Sequence, residues 1–268
     1  MLCAIVKNEN RYIDEWIVYH HSLGFDGILL YDNNDINGEK LDVSEYPYVS
    51  VVDYRGEHIV QPENTKMMIF RDGIQEVAYN DCYWKRCGGY DWVAFFDVDE
   101  FLFIDSGMTV NGFLSQDKFD GVDAIQINWE TYGDNDNVLY EDKPVLERFK
   151  TPTVRQLPYI KSIVRTGNNG YVSLRIHSAE IRNGKFVYPN GKNTRPLHMQ
   201  DIDYEGARVK HFYTKTIDEW VDRKCGKTNA DGRDTLNVPM RRLNEFFSYN
   251  NPTKEKTDVI KRKLGIEI

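Results

Sequence analysis

Short apolar runs and longer amphipathic segments alternate along the first half of the chain. The runs have the length and composition of strands that are buried on both faces. Apolar residues at helical spacing predict a helix over residues 8–23, ended by Gly24, and a longer helix over residues 64–87. The predicted strands are residues 2–6, 27–31, 48–54, 92–96 and 124–129. The residues expected on the inner faces of the helices include His20, Met68, Val77, Ala78 and Trp84.

The order of these elements predicts the fold class. Strands that alternate with helices form a mostly parallel sheet, so we predict an α/β fold with helices on both faces of a central sheet. Ligands of such sheets bind beyond the carboxyl ends of the strands. The residues that follow Val6, Tyr31, Phe96 and Trp129 are therefore the places to search for chemistry.

The second half of the chain is less regular and predicts an irregular C-terminal lobe. Asparagine and glycine at residues 168–170 and 183–184 indicate hairpins. Two charged segments, residues 217–224 and 254–264, are predicted as helices. We expect a single domain over residues 1–268, with a ligand-binding half up to about residue 105 and a closing half after it.

Composition narrows the function classes. The 268 residues carry a formal net charge of -8, which argues against nucleic acid as a partner because phosphate backbones select basic surfaces. An acidic protein still binds a diphosphate when a cation supplies the local charge. No apolar run is long enough to span a membrane. The basic last helix is expected to be solvated, with peripheral contact to an anionic membrane as the alternative.

The cysteines indicate a reducing environment. They form no C-x-x-C pair, which argues against a zinc site, and one disulfide is left open. We therefore expect a cytoplasmic location, with membrane association as the alternative. The cysteines are Cys3, Cys82, Cys87 and Cys225.

Two aspartates directly after the run at 92–96 form the sharpest motif. Asp97 and Asp99 are two residues apart, and in extended chain such residues point to the same side. Two carboxylates on one side repel each other unless a cation lies between them. Mg²⁺ and Mn²⁺ take such oxygen ligands and complete their shell with substrate phosphates. The alternative is an acidic turn after a core strand.

The motif is part of a longer series that resembles glycosyltransferase families 2 and 92. The resemblance runs from residue 2 to about residue 227 and implies a GT-A fold, a D-x-D site for Mn²⁺ or Mg²⁺, and inversion at the sugar carbon. By analogy it also implies a UDP-sugar donor and a saccharide or glycan acceptor, with or without a lipid link. The segments that carry it are residues 3–9, 15–20, 23–25, 31–33, 92–102, 161–165 and 211–215.

The resemblance also assigns roles to single residues. Asp97, Asp99 and His211 would hold the metal, and Lys215 would meet the phosphate. Asp32 would bind the uracil or ribose, with a turn-starting aspartate as the alternative. The other residues expected to line the nucleotide sugar are Val6, Lys7, Asn8, Glu9, Asp97 and Val98.

Charged residues elsewhere supply candidates for the rest of the reaction. Inversion needs a general base, for which we favour Glu130, with Asp134 and Asp136 behind it and a solvated acidic loop as the alternative. Lys161 and Arg165 lie four apart in an alternating segment, so they would share one face. They would hold phosphate or acceptor charge, or else line a solvated sheet edge.

These observations together predict a metal-dependent glycosyltransferase. One rival is an aspartyl-phosphate phosphatase, whose opening motif is also an apolar strand followed by D-x-D. Phe101 stands where that class has threonine or valine, and no later G-D-x-x-x-D string is present. The second rival is a non-catalytic carbohydrate-binding module on the same fold.

Overall fold

The chain forms two compact units. The computed structural model describes residues 1–56, 73–168, 170–225 and 238–267. The first unit comprises Met1–Trp129 and Pro158–Val209, and the second comprises Glu130–Leu157 and Lys210–Ile268. The chain therefore leaves the first unit once and returns to it before it ends in the second.

Strands and helices alternate through the first unit. The elements up to residue 131 are β1 (Leu2–Val6), α1 (Asn10–Ser22), β2 (Ile28–Asp32), β3 (Val49–Asp53), α2 (Ile74–Asp81), β4 (Trp92–Phe95), β5 (Glu100–Ile104), α3 (Val110–Leu114) and β6 (Ala124–Thr131). Those that follow are α4 (Val145–Arg148), β7 (Ile160–Arg165), β8 (Val172–Leu174), β9 (Ala179–Ile181), β10 (Phe186–Val187), β11 (Ala207–His211), α5 (Ile217–Trp220), α6 (Val238–Phe247) and α7 (Lys254–Leu264).

The central sheet confirms the predicted α/β class. Nine of the described strands build it, in the order β3–β2–β1–β4–β7–β6–β11–β5, with β10 paired to β6. The first four strands of this order are parallel, whereas β7 runs antiparallel to both β4 and β6. Because β1, β2 and β4 are parallel, their carboxyl ends meet at one edge of the sheet. This mostly parallel sheet with flanking helices is GT-A-like.

All five predicted strands are present, with ends that differ from the predicted ones by at most two residues. Their side chains are almost fully buried in β1, β2, β4 and β6, which explains why they read as continuous apolar runs. Only β3 is more exposed, as expected at the end of the sheet order. Helix α1 lies within the predicted segment 8–23 and buries Tyr12, Ile13, Trp16, Ile17 and His20.

His20 is a hydrogen-bonded core histidine, as predicted. Its side chain is 0% exposed, and Nδ1 lies 2.9 Å from the carbonyl oxygen of Trp16. Nε2 accepts a hydrogen bond of 3.3 Å from the backbone N–H of Leu102. Since Leu102 supplies the proton on that side, the neutral ring carries its own proton on Nδ1 and donates it to Trp16.

Acid should destabilise the protein through His20. Burial lowers the pKa of His20 from 6.5 to about 3, against a smaller opposing effect of the hydrogen bond to Trp16. Between these two pH values His20 is therefore protonated in the unfolded chain but neutral in the folded one. The stabilisation is complete above the unfolded pKa of 6.5 and is lost as the pH falls from there toward 3. At pH 5 the loss is about 2 kcal/mol.

Urea unfolding at pH 7 and pH 5 measures this loss. His20→Gln removes the titrating ring, and His21→Gln changes an exposed neighbour on the same helix as a control. We expect the wild type and His21→Gln to lose about 2 kcal/mol more on acidification than His20→Gln. Equal losses in the three proteins would contradict the assignment.

The predicted helix over 64–87 needs correction in its described part. Residues 57–72, including Met68, lie outside the described residues. Helix α2 begins after Gly73 and continues as a π-helical turn over Cys82–Arg86. Ala78 is buried as predicted, but Val77 and Trp84 are 44% and 50% exposed. The inner face is instead formed by Ile74, Ala78, Tyr79, Cys82 and Tyr83. Val77 lies outside this face within the regular helix, and the wider π turn shifts the helical phase at Trp84.

The two hairpin predictions have different outcomes. The antiparallel hairpin of this region joins β8 to β9 through a turn in which the Arg175 N–H donates to the Ser178 carbonyl. Asn183 and Gly184 do form a turn, but β10 after it pairs in parallel with β6. Asn169, in the other predicted hairpin, lies outside the described residues.

Helices dominate the second unit. The charged segments predicted as helices are confirmed as α5, continued by a π-helical turn over Val221–Cys225, and as α7. Helix α6 was missed. Its core residues Leu243 and Phe246 pack with Trp220 of α5 and Val259 of α7. Across the described residues, no helix is long and apolar enough to cross a membrane. All four cysteines are buried free thiols, so the disulfide that was left open is not formed.

Candidate active site

The aspartate pair lies in a tight turn between β4 and β5. The backbone N–H of Glu100 donates to the carbonyl of Asp97 over 3.0 Å, which closes the turn. The assumption of extended chain at this point was therefore wrong, because the strand ends at Phe95. Val98 is buried, whereas Asp97 and Asp99 are half-buried. The turn, here called the acidic turn (residues 97–100), lies at the sheet edge where β1 and β2 also end.

A buried lysine forms ion pairs with two carboxylates of the acidic turn. Lys161, in β7, is 0% exposed, and its Nζ lies 2.9 Å from Asp97 Oδ2 and 3.3 Å from Glu100 Oε2. Glu100 Oε2 also accepts the backbone N–H of Asp97 over 2.8 Å. Strand β7 pairs with β4 on one side and β6 on the other, so the alternative of a solvated edge was wrong for Lys161.

Helix α2 supplies two further partners that the sequence analysis missed. Gln75 Nε2 donates to Asp97 Oδ1 over 2.6 Å, and the Tyr79 hydroxyl donates to the same oxygen over 3.3 Å. Gln75 and Tyr79 are four residues apart, so both lie on one face of the helix. Both oxygens of Asp97 are thus engaged by the protein itself.

Burial and charge oppose each other in the acidic turn. Burial acts to raise the pKa of Asp97, but the Lys161 ammonium outweighs it and holds that pKa below the ordinary value, with a smaller contribution from His177 in the same direction. For Glu100, which is 0% exposed, burial dominates over Lys161 and raises the pKa well above the ordinary value. Asp97 therefore stays ionised, whereas Glu100 is the group of the turn that more readily holds a proton.

The loops after β1 and β2 are joined at the same sheet edge. Asn34 Oδ1 accepts the backbone N–H of Asn8 over 2.7 Å, and the Asn33 N–H donates to the Val6 carbonyl over 2.8 Å. Asn8 has a positive φ of 58°, which asparagine tolerates better than most residues. The structure thus brings the predicted nucleotide segment Val6–Glu9 next to the loop that starts at Asp32.

Asp32 organises its own loop. It is fully buried, Oδ1 accepts the N–H of Asn34 and Oδ2 accepts the N–H of Leu41, both over 3.0 Å. Arg55 Nε lies 3.9 Å from Oδ2. These contacts are those of the turn-starting aspartate that was considered as the alternative. The predicted contact of Asp32 with the nucleotide stays a prediction.

Arg165 is not brought to the acidic turn. Its partner in β4 is Trp92, at the end of that strand opposite to Asp97. The guanidinium lies 4.0 Å from the centre of the Trp92 ring and donates to the carbonyls of Val122 and Phe119. Lys161 and Arg165 share a face of β7, as the alternation predicted, but their side chains make contacts at opposite ends of the sheet.

The predicted base residues belong to the second unit. The Tyr132 hydroxyl donates to Glu130 Oε2 over 2.7 Å. Asp134 is buried, its Oδ2 lies 2.5 Å from the ammonium of the fully buried Lys256, and burial raises its pKa against the effect of that lysine. The Asp136 side chain is 87% exposed and lies 4.0 Å from the same ammonium. Of the three, Asp134 is held in a buried ion pair with Lys256, whereas the carboxylate of Asp136 is largely exposed.

His211 and Lys215 also lie in the second unit. His211 is the last residue of β11, is 4% exposed and has its ring 5.2 Å from that of Tyr213. Lys215 is 1% exposed and adopts a positive φ of 52°. Their predicted metal and phosphate roles stay predictions.

The donor groups in the acidic turn fit a cation that is shared with a phosphate group. In the part of the chain that the structure describes, no three or more histidine, cysteine, aspartate or glutamate side chains are arranged to hold a metal. Asp97 and Asp99 offer hard oxygen donors, and Lys161 already neutralises one charge of the turn. Mg²⁺ and Mn²⁺ are commonly held by one or two carboxylates together with substrate phosphates.

Comparisons with known proteins agree on one family. A glycosyltransferase family 92 protein of Ricinus communis is 26% identical over 139 residues, which cover 49% of this chain and 22% of that protein. One of Oryza sativa subsp. japonica is 27% identical over 115 residues, 42% of this chain and 18% of its own length. One of Arabidopsis thaliana is 26% identical over 133 residues, 50% and 21% respectively.

The matched region is about a fifth of the length of these relatives. The sequence model of glycosyltransferase family 92 matches residues 3–253, which include the acidic turn, Lys161 and most of both compact units. This match confirms the family 92 resemblance seen in the sequence motifs. The chain belongs to glycosyltransferase family 92.

Proposed function

We propose that the chain is a metal-dependent glycosyltransferase that moves a sugar from a UDP-sugar to a hydroxyl of a saccharide acceptor, with inversion at the sugar carbon. The acidic turn carries the proposal. In a family 92 chain, two aspartates stand at the carboxyl end of a central parallel strand, where ligands of α/β sheets bind. Such a pair can hold a divalent cation, through which an acidic protein binds the diphosphate of a nucleotide sugar.

Each part of the sheet edge has a role in this proposal. Asp99, with Asp97 behind it, would hold a divalent cation, Mn²⁺ or Mg²⁺. When bound, such a cation offsets the charge that develops on the leaving diphosphate. Residues Val6–Glu9 and the loop from Asp32 would orient the nucleotide, since both loops are fixed to each other at this edge. Rate enhancement then comes largely from positioning and electrostatics.

The acceptor hydroxyl needs a base to take its proton. Glu130 remains our first choice, because Asp134 is held in a buried ion pair with Lys256. Tyr132 would orient the Glu130 carboxylate through its hydroxyl. His211 as a further metal ligand and Lys215 as a phosphate contact complete the proposal, and both rest on the sequence resemblance. Arg165 has no role in this proposal, because its guanidinium donates to backbone carbonyls at the end of β4 opposite to the acidic turn.

A thermal-shift screen of nucleotide sugars, with and without Mn²⁺, tests the proposal. At a ligand concentration about 100 times Kd, binding adds about 2.7 kcal/mol, or a rise in Tm of roughly 5 °C for a chain of this size. We expect the rise with UDP-sugars and Mn²⁺ together, followed by release of UDP on addition of saccharide acceptors. A protein that is stabilised by free saccharides but by no nucleotide sugar would instead be a carbohydrate-binding module.

A further inference from the structure

Lys161 is an unusual residue to find inside a sheet. It lies in the middle strand of three, opposite Ile127 of β6, and none of its side chain is exposed. A buried ammonium group is costly unless charged or polar partners surround it. Its partners are the carboxylates of Asp97 and Glu100. The sequence led us to expect a phosphate contact from Lys161, but its Nζ is directed at the acidic turn itself.

Three side chains from two elements fix the Asp97 carboxylate. Lys161 of β7 takes Oδ2, while Gln75 and Tyr79 of α2 donate to Oδ1. Glu100 holds the backbone N–H of Asp97 on the same side as Lys161. Asp97 therefore has a defined orientation with protein groups alone. To ligate a cation through Oδ2, it would have to share that oxygen with an ammonium group.

We propose that Lys161 is a positioning residue that acts as a permanent internal cation of the acidic turn. Its contact keeps the Asp97 carboxylate bound to the protein, so that Asp99 is the principal metal ligand. Its charge also keeps the affinity of the turn for a divalent cation low when no nucleotide is bound. This inference rests on the proposed function. Its consequence is that the metal binds well only together with a nucleotide diphosphate and leaves with the nucleotide product.

The physical reason is electrostatic. A positive charge a few ångströms from the site repels a second cation, and the effect is strong where the groups are buried. The diphosphate brings negative charge that compensates for this repulsion. Removing the ammonium frees Asp97 Oδ2 and removes the repulsion. The metal alone should then bind more tightly, while release of the nucleotide product should become slower.

Binding of Mn²⁺ without nucleotide, followed by electron paramagnetic resonance, tests this inference. Lys161→Met should bind Mn²⁺ at least about tenfold more tightly than the wild type. The same variant should show a lower kcat together with a lower Mn²⁺ requirement. A purely structural role predicts the opposite sign for the affinity, because a disordered turn binds metal less well. Unchanged or weaker Mn²⁺ binding by folded Lys161→Met would overturn the inference.

Two further variants sharpen the test. Lys161→Met with Glu100→Gln also removes the fully buried Glu100 carboxylate that would lose its cation, so the double variant is less prone to misfold. If Lys161 acts through Asp97, this double variant also binds Mn²⁺ tightly; affinity like that of the wild type would show that it acts only on Glu100 and would overturn the inference. Arg208→Met removes a cation that pairs instead with Asp105 and should leave Mn²⁺ affinity unchanged.

The outcome also separates this inference from the proposed function. Wild-type protein that binds Mn²⁺ in the presence of UDP, and Asp99→Asn that does not, would support the function whatever Lys161→Met does. Wild-type protein that binds no Mn²⁺ even with UDP would refute the metal-dependent function and the role of Lys161 with it.

Discussion

Asp99→Asn is expected to abolish sugar transfer and to leave the fold intact. Asparagine has nearly the same shape as aspartate but lacks the charge that a hard divalent cation requires of its ligand. Asp97 cannot take over, because Lys161, Gln75 and Tyr79 already engage its two oxygens. With the cation lost, charge on the leaving diphosphate is no longer offset, and we expect kcat to fall on the order of a thousandfold or more.

Release of UDP from a UDP-sugar measures this effect, with circular dichroism and the melting temperature as tests of the fold. Asp120→Asn, at an exposed aspartate of the same unit, is the matched control and should keep normal turnover. Asp99 is half-buried in a turn, so the melting temperature of Asp99→Asn should change little. A folded Asp99→Asn protein with near-normal turnover would remove Asp99 from the reaction.

The sheet could be predicted from the sequence because its strands are buried on both faces. Such strands are apolar along most of their length, and the sequences of β1, β2, β4 and β6 show this pattern. The same reasoning located the acidic turn, since the carboxyl end of a parallel strand is where ligands bind. Helix α7 was also predicted with its observed ends, and the structure shows Gly265 capping it with a φ of 68°.

The network around the acidic turn could not be predicted in the same way. Lys161 follows Asp97 by 64 residues, and only the antiparallel pairing of β7 with β4 brings them together. A lysine in an alternating segment is normally solvated, so its burial depends on partners that the local pattern does not show. Gln75 and Tyr79 gave no signal either, because their role depends on where α2 packs.

Helix phase was the other source of error. The pattern over 64–87 assumed one continuous α-helix, but the wider π-helical turn after Asp81 rotates the chain less per residue, which shifts the helical phase and exposes Trp84. Likewise the alternation that grouped Lys161 with Arg165 gave the right face. It could not reveal that four residues of strand, about 13 Å, separate their ends of the sheet.

UDP binding is expected to depend almost wholly on a divalent cation. The protein has a formal net charge of -8, and the proposed site presents the carboxylates of Asp97 and Asp99 to a diphosphate that is itself negative. Lys161 offsets only part of this repulsion, because its single positive charge lies beside the carboxylates of both Asp97 and Glu100. Without a cation we therefore expect the affinity for UDP to fall at least about a hundredfold, or about 2.8 kcal/mol.

Calorimetric titration of UDP into one preparation of the protein, in Mn²⁺ and then in excess chelator, measures that dependence most directly. Asp99→Asn serves as the internal control, because its UDP affinity should be low and should respond little to Mn²⁺. The account predicts clear binding in Mn²⁺ and a loss of at least about a hundredfold in chelator for the wild type. Equal affinity for UDP in the two solutions would contradict it.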